Sequence, residues 1–587
     1  MKYFKSLNNN QYYRLVTGIV FVLFISHQTI YIFDGGSTWD EYGSIINASK
    51  QIYKLYIFLV DFNNPIFQLD ISPPEHYGGL LFIPAYLSTF SENFITNFSL
   101  ILKNVFDVNL INRIEAALII RHILINSYVV VILLFILNQL SKVYSKKFVL
   151  TFLLFLLLIP SVNGHSLFNL TDIPFMFQYF FATVVFLNFL NNQSFTNNLI
   201  TGFVFGLCLL VRFNAIVFLI FLFLFEIIIN VFYHYKFKVG NYQTPLLKKY
   251  TLIIFTAFIT LFIGTPVAWR SPFRWVQGAI KYQFNQENDI RTIFNGEVLF
   301  SANTNSDYLF NWLMVKTPIP IIFLFFISIF VFLRNKNKQN SFFSYSLFFV
   351  FLILLSFIIY KPVTYDGIRH YLFVYPFLVL CSVEGLFAIF ENKKKMLNVF
   401  IIFVLGFLIF SQSGLGAYKY IYLNEFVDEE KISYDCENNI AQSGCGDWHT
   451  DYWGFAGKEL TRKINLNENK AIYFCVPHYT YSFFQAEDSP WTLKNGSFVF
   501  DDKFPFTQDK YFYYKSDILE YIRSKDFNSI SLLTLNYHRP PLDSCGFEEL
   551  DKNKFDVNCN VIDGVKVELR GVSINLNYLS ECEIKKV

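Results

Sequence analysis

A few short polar segments interrupt an otherwise apolar chain, and they hold the side chains suited to acid–base and phosphate chemistry. The first is Ser37-Thr38-Trp39-Asp40-Glu41-Tyr42, followed by Ser72 to Gly79 with Glu75 and His76. The next runs from Asn163 to Pro174 and contains His165 and Asp172. Arg212 and Asn214 mark another, Arg270 and Lys316 lie in a longer one, and Tyr365-Asp366-Gly367-Ile368-Arg369-His370 is the last. A carboxylate such as Asp40 or Glu41 could take the proton of an attacking hydroxyl, provided it lies within hydrogen-bond reach. Cations such as Arg212, Lys316 and Arg369 could stabilise a departing phosphate as its negative charge builds up. No glycine-rich phosphate loop argues for a nucleotide donor. His76, His165 and Glu75 form no recognised metal-ligand spacing; a divalent cation is left open, and no cofactor is fixed.

Apolar helices must position these segments. Of 587 residues, 53% are hydrophobic and only 16% charged, against about a quarter charged in an ordinary soluble chain. Runs of roughly 18 or more apolar residues recur from Leu15 to about Gly414, each long enough for a hydrocarbon core of about 30 Å. The pattern predicts about eleven transmembrane helices, near 15–33, 114–140, 148–162, 173–190, 198–212, 213–233, 250–268, 318–333, 342–360, 371–390 and 396–414. The fifth and sixth would meet at a polar turn holding Arg212 and Asn214. Residues 1–424 then make a membrane domain and 425–587 a soluble α/β domain. A net charge of +3 is too small to argue for nucleic acid, and nothing in its distribution suggests a polybasic lipid-binding patch.

Loop charge predicts orientation. With the N-terminus cytoplasmic, the short inner loops carry Lys142, Lys146 and Lys147; Lys236, Lys238, Lys248 and Lys249; Arg334, Lys336 and Lys338; and Lys393, Lys394 and Lys395. These four loops are basic, as the positive-inside bias favours. The long loops and the C-terminal domain then lie outside, with every candidate site residue. Six of the eight cysteines fall in that domain, Cys436, Cys445, Cys475, Cys545, Cys559 and Cys582, which suggests disulfides in an oxidising compartment. Their pairing cannot be read from sequence, and the neighbours Cys436 and Cys445 are the first choice. Within the domain, Tyr452–Ile464 and Ser516–Lys525 read as helices, Ala471–Val476 and Ser529–Leu535 as strands, and Val565–Tyr578 as a hairpin around Gly571.

In its polar segments the chain resembles the dolichyl-phosphate-mannose protein mannosyltransferase family, and more closely its bacterial relatives, which include the lipid A aminoarabinose transferases. The shared pattern is the Asp40-Glu41 pair, the Gly164–Phe175 segment, Tyr365–His370 at the start of a late span, and Asp451-Tyr452-Trp453-Gly454 after the last one. The resemblance implies a type C glycosyltransferase-like fold and a bacterial inner-membrane location, with the C-terminal domain periplasmic or extracellular. It implies a polyprenyl-phosphate sugar donor, inversion at the anomeric carbon, and an acceptor lipid, glycan or protein. Asp40 would be the general base, Glu41 a supporting or acceptor-binding carboxylate and Asp172 a second acid. Arg212, Lys316, Arg369, His370 and His165 would bind substrate. The C-terminal domain does not look like the β-trefoil of the eukaryotic protein mannosyltransferases, which counts against a protein acceptor.

Blander roles compete with these. Asp40-Glu41 could cap a helix, and Asp172 suits a helix start before Ile173-Pro174. Arg369 and Lys316 sit where cations snorkel to the interface. Two other functions are open. A transporter or flippase of lipid-linked sugars should show internal repeats and polar residues near the bilayer midplane, whereas the polar segments here share one face. A structural membrane protein with a partner-binding tail would leave the acidic pair and Tyr365–His370 without a purpose.

Overall fold

The computed structural model describes residues 9–32, 97, 104, 113–237, 246–269, 271–284, 291–334, 340–428, 448, 451, 454–462, 471–474, 491–494, 497–500, 511–512, 515–524, 527–537, 547, 550–551 and 553–587. The acidic pair Asp40-Glu41, the Glu75-His76 segment, Arg270, and Cys436, Cys445, Cys475 and Cys545 lie outside the described residues.

The apolar runs are helices. In chain order they are α1 (Asn9–Ile32), α2 (Arg113–Leu140), α3 (Lys146–Leu158), the short α4 (Pro160–His165), α5 (Asp172–Asn191), α6 (Phe195–Val211) and α7 (Ala215–Phe237). Then come α8 (Leu246–Ile263), α9 (Pro272–Phe284), α10 (Tyr308–Lys316), α11 (Ile319–Arg334), α12 (Ser341–Tyr360), α13 (Tyr375–Ile389) and α14 (Lys394–Phe410). Each of the eleven predicted spans coincides with one of these helices. Among the described residues, five helices are long and apolar enough to cross a membrane, or six if the bent pair α10–α11 counts as one span. Their outer faces confirm the solvent. Ile359, Ile402, Val399 and Phe410 are exposed by two-thirds or more, which only an apolar surrounding favours. The chain is an integral membrane protein.

Two devices hold the bundle. Gly202 and Gly206 sit four residues apart on α6, and a Cβ on either would meet α8 backbone, at 2.6 Å from the Ile253 carbonyl and 2.8 Å from that of Ala257. Small residues at this spacing let two helices approach backbone to backbone, where dispersion replaces the missing hydrophobic drive. The second device is a break. α10 and α11 are bent by 118° at Thr317-Pro318, where proline cannot continue the ladder. The freed carbonyls find partners elsewhere: Asn424 Nδ2 donates to Met314 and Thr317 carbonyls at 2.5 and 2.6 Å, and Ser161 Oγ to that of Lys316 at 3.2 Å.

Beyond α14, a 3₁₀ segment (Gly416–Ile421) leads to α15 (Gly457–Arg462) and α16 (Lys515–Ser524). Strands β1 (Arg291–Phe294) and β2 (Glu297–Phe300) form a small hairpin before α10, and β4 (Trp491–Lys494) with β5 (Ser497–Phe500) another. A five-stranded sheet has the order β6-β3-β7-β9-β8, from β3 (Ala471–Phe474), β6 (Tyr511–Phe512), β7 (Ser529–Tyr537), β8 (Phe555–Leu569) and β9 (Val572–Lys586). β3 runs parallel to β6 and β7, and the rest is antiparallel. Leu569 pairs with Val572 across a two-residue turn, Arg570 (φ 53°) and Gly571 (φ 81°), the left-handed pair that such hairpins need. The expected final hairpin is present with far longer arms, and Cys559 is disulfide-bonded to its cross-strand partner Cys582. Near the turn, Val565, Val567, Leu569, Ile574 and Leu576 join the same apolar core as the helices. Arg570 Nη2 donates to the Val427 carbonyl at 2.6 Å. The hairpin is thereby seated on the bundle.

Replacing Gly206 by Leu should force α6 and α8 apart. We expect a loss of about 1–3 kcal/mol, read as a fall of several degrees in the thermal midpoint in detergent. Phe203→Leu, on the exposed side of the same helix, should leave it unchanged. Equal midpoints for all three proteins would contradict the close packing.

Candidate functional site

Asp172 is the first residue of α5 and is buried. A bare carboxylate is costly in such surroundings, so its partners matter. Arg212 Nη2 lies 2.5 Å from Asp172 Oδ1, with side-chain exposures of 12% and 3%. Asn169 Nδ2 donates to Asp172 Oδ2 at 3.0 Å, while Asn169 Oδ1 accepts from the amides of Thr171 and Asp172 at 3.2 and 2.8 Å. Asn169 thus caps the free N–H groups of the helix start and aims the carboxylate. Its Nδ2 also lies 3.4 Å from His165 Nδ1. His165 is fully buried, and burial first, then the positive charges of Lys316 and Arg369, push its pKa well below the ordinary imidazole value. A neutral ring can accept at Nδ1.

Arg212 occupies the predicted polar turn between α6 and α7, as the C-cap of α6 in extended conformation. Its guanidinium is held by Asp172 and, at 3.4 Å, by Thr171 Oγ1.

The second cluster comes from the loop after α12. Lys361 (φ 45°), Asp366 (φ 56°) and Gly367 (φ 66°) are all left-handed. Asp tolerates that region better than most residues and Gly enters it freely. The Gly367 amide donates to Tyr308 Oη at 3.0 Å, which anchors the turn on α10. Arg369 Nη2 lies 3.1 Å from Asp366 Oδ2, both side chains being buried, and Arg369 Nε donates to His370 Nε2 at 3.2 Å. The guanidinium also lies 5.3 Å from the centre of the Tyr365 ring, which meets the His370 ring edge to face at 4.8 Å.

These two clusters close one end of a cavity of about 820 Å³. Its walls are apolar: Ile216, Val217, Phe218 and Phe221 from α7 face Ile353 and Phe357 from α12, with Phe373 beside them. Its head is polar, made of Arg212, Asn214, Lys361, Tyr365 and His370. Arg212 Nε and Asn214 Oδ1 are buried and have no hydrogen-bond partner among the described residues. Such groups cost free energy unless something else meets them. The cavity fits an amphiphile with an anionic head.

Arg212 and His370 therefore line the cavity. Asp172 stands behind Arg212 as its ion-pair partner, and Arg369, itself paired with Asp366, donates to His370. Lys316 and His165 do not line it. The Lys316 ammonium is buried, donates to the Tyr420 carbonyl at 3.0 Å and lies 5.5 Å from the Trp312 ring. Tyr420 Oη donates in turn to Asp451 Oδ1 at 2.5 Å, and Asp451 accepts from the amides of Phe455 and Ala456, both at 2.9 Å. Asp451, noted in the sequence, fastens the chain after the last span to α10. Arg121 and His122, buried inside α2, went unremarked because an apolar window averages two polar residues away, although a charge within a span is itself a signal. Lys361 went unremarked and Asp366 was quoted in its segment without a role of its own, because their importance comes from a turn geometry that only the fold shows. Among the described residues no group of three or more His, Cys, Asp and Glu could hold a metal ion.

No protein-family model matches the chain, and no curated protein does either. Among solved structures, the chain is similar to the crystal structure of ArnT from Cupriavidus metallidurans in the apo state, at 9% identity over 97% of this chain and 98% of that one. The TM-score is 0.42, and a likeness at that level carries no argument about activity.

A double-mutant cycle on Asp172→Asn and Arg212→Gln should give a coupling of about 1–3 kcal/mol in thermal or denaturant stability. Each single change leaves a buried charge alone, so the double variant should be more stable than their sum predicts. Additive losses would mean that the ion pair is not formed.

Proposed function

We propose that the chain is a membrane glycosyltransferase that moves a sugar from a polyprenyl-phosphate donor to a hydroxyl on the outer side, with inversion at the anomeric carbon. The observation that carries this reading is the cavity with apolar walls and a cationic head, where the buried donor Arg212 Nε has no hydrogen-bond partner among the described residues and the acceptor Asn214 Oδ1 could take a sugar hydroxyl. Walls formed by α7 and α12 suit the first isoprene units of a lipid carrier. The head suits its phosphate, because a guanidinium presents a planar fork that matches phosphate oxygens.

The chemistry then divides among named groups. Asp40 removes the proton of the acceptor hydroxyl as its oxygen attacks the anomeric carbon. The bond between that carbon and the phosphate oxygen breaks, and the electron pair leaves on the phosphate. Arg212, oriented by Asp172, stabilises the added charge, with Lys361 and His370 at the same end of the cavity. Glu41 supports Asp40 or holds the acceptor. Arg369 and His165 position these groups, and Lys316 holds the break after α10. The roles of Asp40 and Glu41 rest on the resemblance of their segment, and those of Arg212 and His370 on the cavity. The N-terminus and the lysine-rich loops would be cytoplasmic and the C-terminal domain outside, so the acceptor is a lipid, glycan or protein of the envelope.

Asp40→Asn should abolish transfer, by about 10²-fold or more if it removes the general base, with expression and thermal midpoint unchanged. The assay is mass analysis of envelope lipids and glycans from cells carrying either protein. Undiminished product in the variant would sink the proposed base. Arg212→Lys should instead raise the donor KM more than it lowers kcat, because charge survives while the bidentate fork is lost.

A further inference from the structure

Lysines from two separate loops come together at the other end of the bundle. α3 begins at Lys146 and α14 at Lys394, with Lys393 at its N-cap. The Lys147 ammonium reaches Asn398 Oδ1 on α14 at 2.5 Å and lies 5.9 Å from the Phe387 ring of α13. Lys394 is within electrostatic range of Lys147, whose pKa is lowered by partial burial first and by that neighbour second. Beside them an open cleft of about 520 Å³ is lined by Glu391, Asn392, Lys393, Lys394, Lys395 and Met396.

Two features separate this cluster from an ordinary topology signal. Neither helix has an acid in its first turn, so the lysines oppose the helix dipoles as well as each other. A positive-inside bias needs charge in each loop, and nothing in it requires lysines of two loops to meet across three helices. The second feature is what lies below them. Met396, Val399 and Phe403, spaced to share one face of α14, are all exposed by about half or more, so an apolar track continues from the cationic cleft along the helix.

We infer that this cleft binds the phosphate of an anionic phospholipid, held by Lys147, Lys393, Lys394 and Lys395, with an acyl chain along Met396, Val399 and Phe403. Basic pockets between transmembrane helices hold anionic headgroups in this way. The lipid-facing side chains directly below the cleft give an acyl chain attached to the bound phosphate an apolar course. The site is remote in kind from the Arg212 cavity and does not rest on the proposed reaction.

The test uses the full chain in nanodiscs of equal phosphatidylcholine and phosphatidylglycerol, transferred to neutral detergent, with retained lipids counted by mass spectrometry. The wild type should retain phosphatidylglycerol over phosphatidylcholine by roughly tenfold. The four Lys→Gln changes together should abolish that preference, while four Lys→Arg changes keep it. Glu391→Lys should raise it, which covers the case in which the neutralised variant fails to fold. Added inorganic phosphate should displace little lipid. No preference in the wild type, an unchanged preference in the Gln variant, no gain in Glu391→Lys, or displacement by inorganic phosphate would overturn the assignment.

Discussion

The ion pair between Asp172 and Arg212 is the interaction on which the candidate site depends. It joins the start of α5 to the break between α6 and α7, forty residues away, at a depth where neither charge could stand alone. Asn169 fixes the carboxylate from one side: its amide oxygen accepts from the helix start, and its amide nitrogen donates to Asp172 and lies beside His165. Arg212 therefore has one of its nitrogens committed and keeps Nε for the cavity. Asp172 is the ion-pair partner of that cation; in the proposed reaction it orients Arg212. The pairing matters, since a charge fixed before substrate arrives needs no reorganisation when negative charge develops.

A second framework stabilises the same end of the bundle. The break between α10 and α11 would leave carbonyls exposed in an apolar setting, and Asn424, Ser161 and Tyr375 satisfy them. Lys316, Tyr420 and Asp451 continue that framework outward. The long β8–β9 hairpin adds apolar contacts from its turn end and the bond from Arg570 to Val427. Through these links the segment after the last helix is tied to α10, whose Tyr308 holds the Asp366-Gly367 turn.

Much of this was legible in the sequence, and the limits have physical causes. Hydropathy reports the length of an apolar run, so helices could be placed over the apolar runs, and Arg212 with Asn214 marked the break between two of them. Hydropathy says little about which face meets which, so the Gly202–Gly206 contact with α8 went unread. Residue type located His165, Lys316, Arg369 and His370 in polar segments, yet not whether each side chain points to a cavity or into packing. Lys316 and Arg212 look alike as cations near span ends; one is clamped on a carbonyl away from the cavity, and the other is ion-paired with Asp172 and lines the cavity. The lysines of α3 and α14 were read as two loops because their convergence is a property of helix packing.

The central claim is that the space between α7 and α12 holds a lipid whose anionic head lies at Arg212. The most direct measurement is photocrosslinking with a short polyprenyl phosphate that carries a diazirine in its second isoprene unit, followed by peptide mapping. Labels are expected on residues 216–221 and 353–373, suppressed by unlabelled polyprenyl phosphate and weakened in Arg212→Ala. Labels confined to other helices, or labels on these segments indifferent to the phosphate and to Arg212, would contradict it.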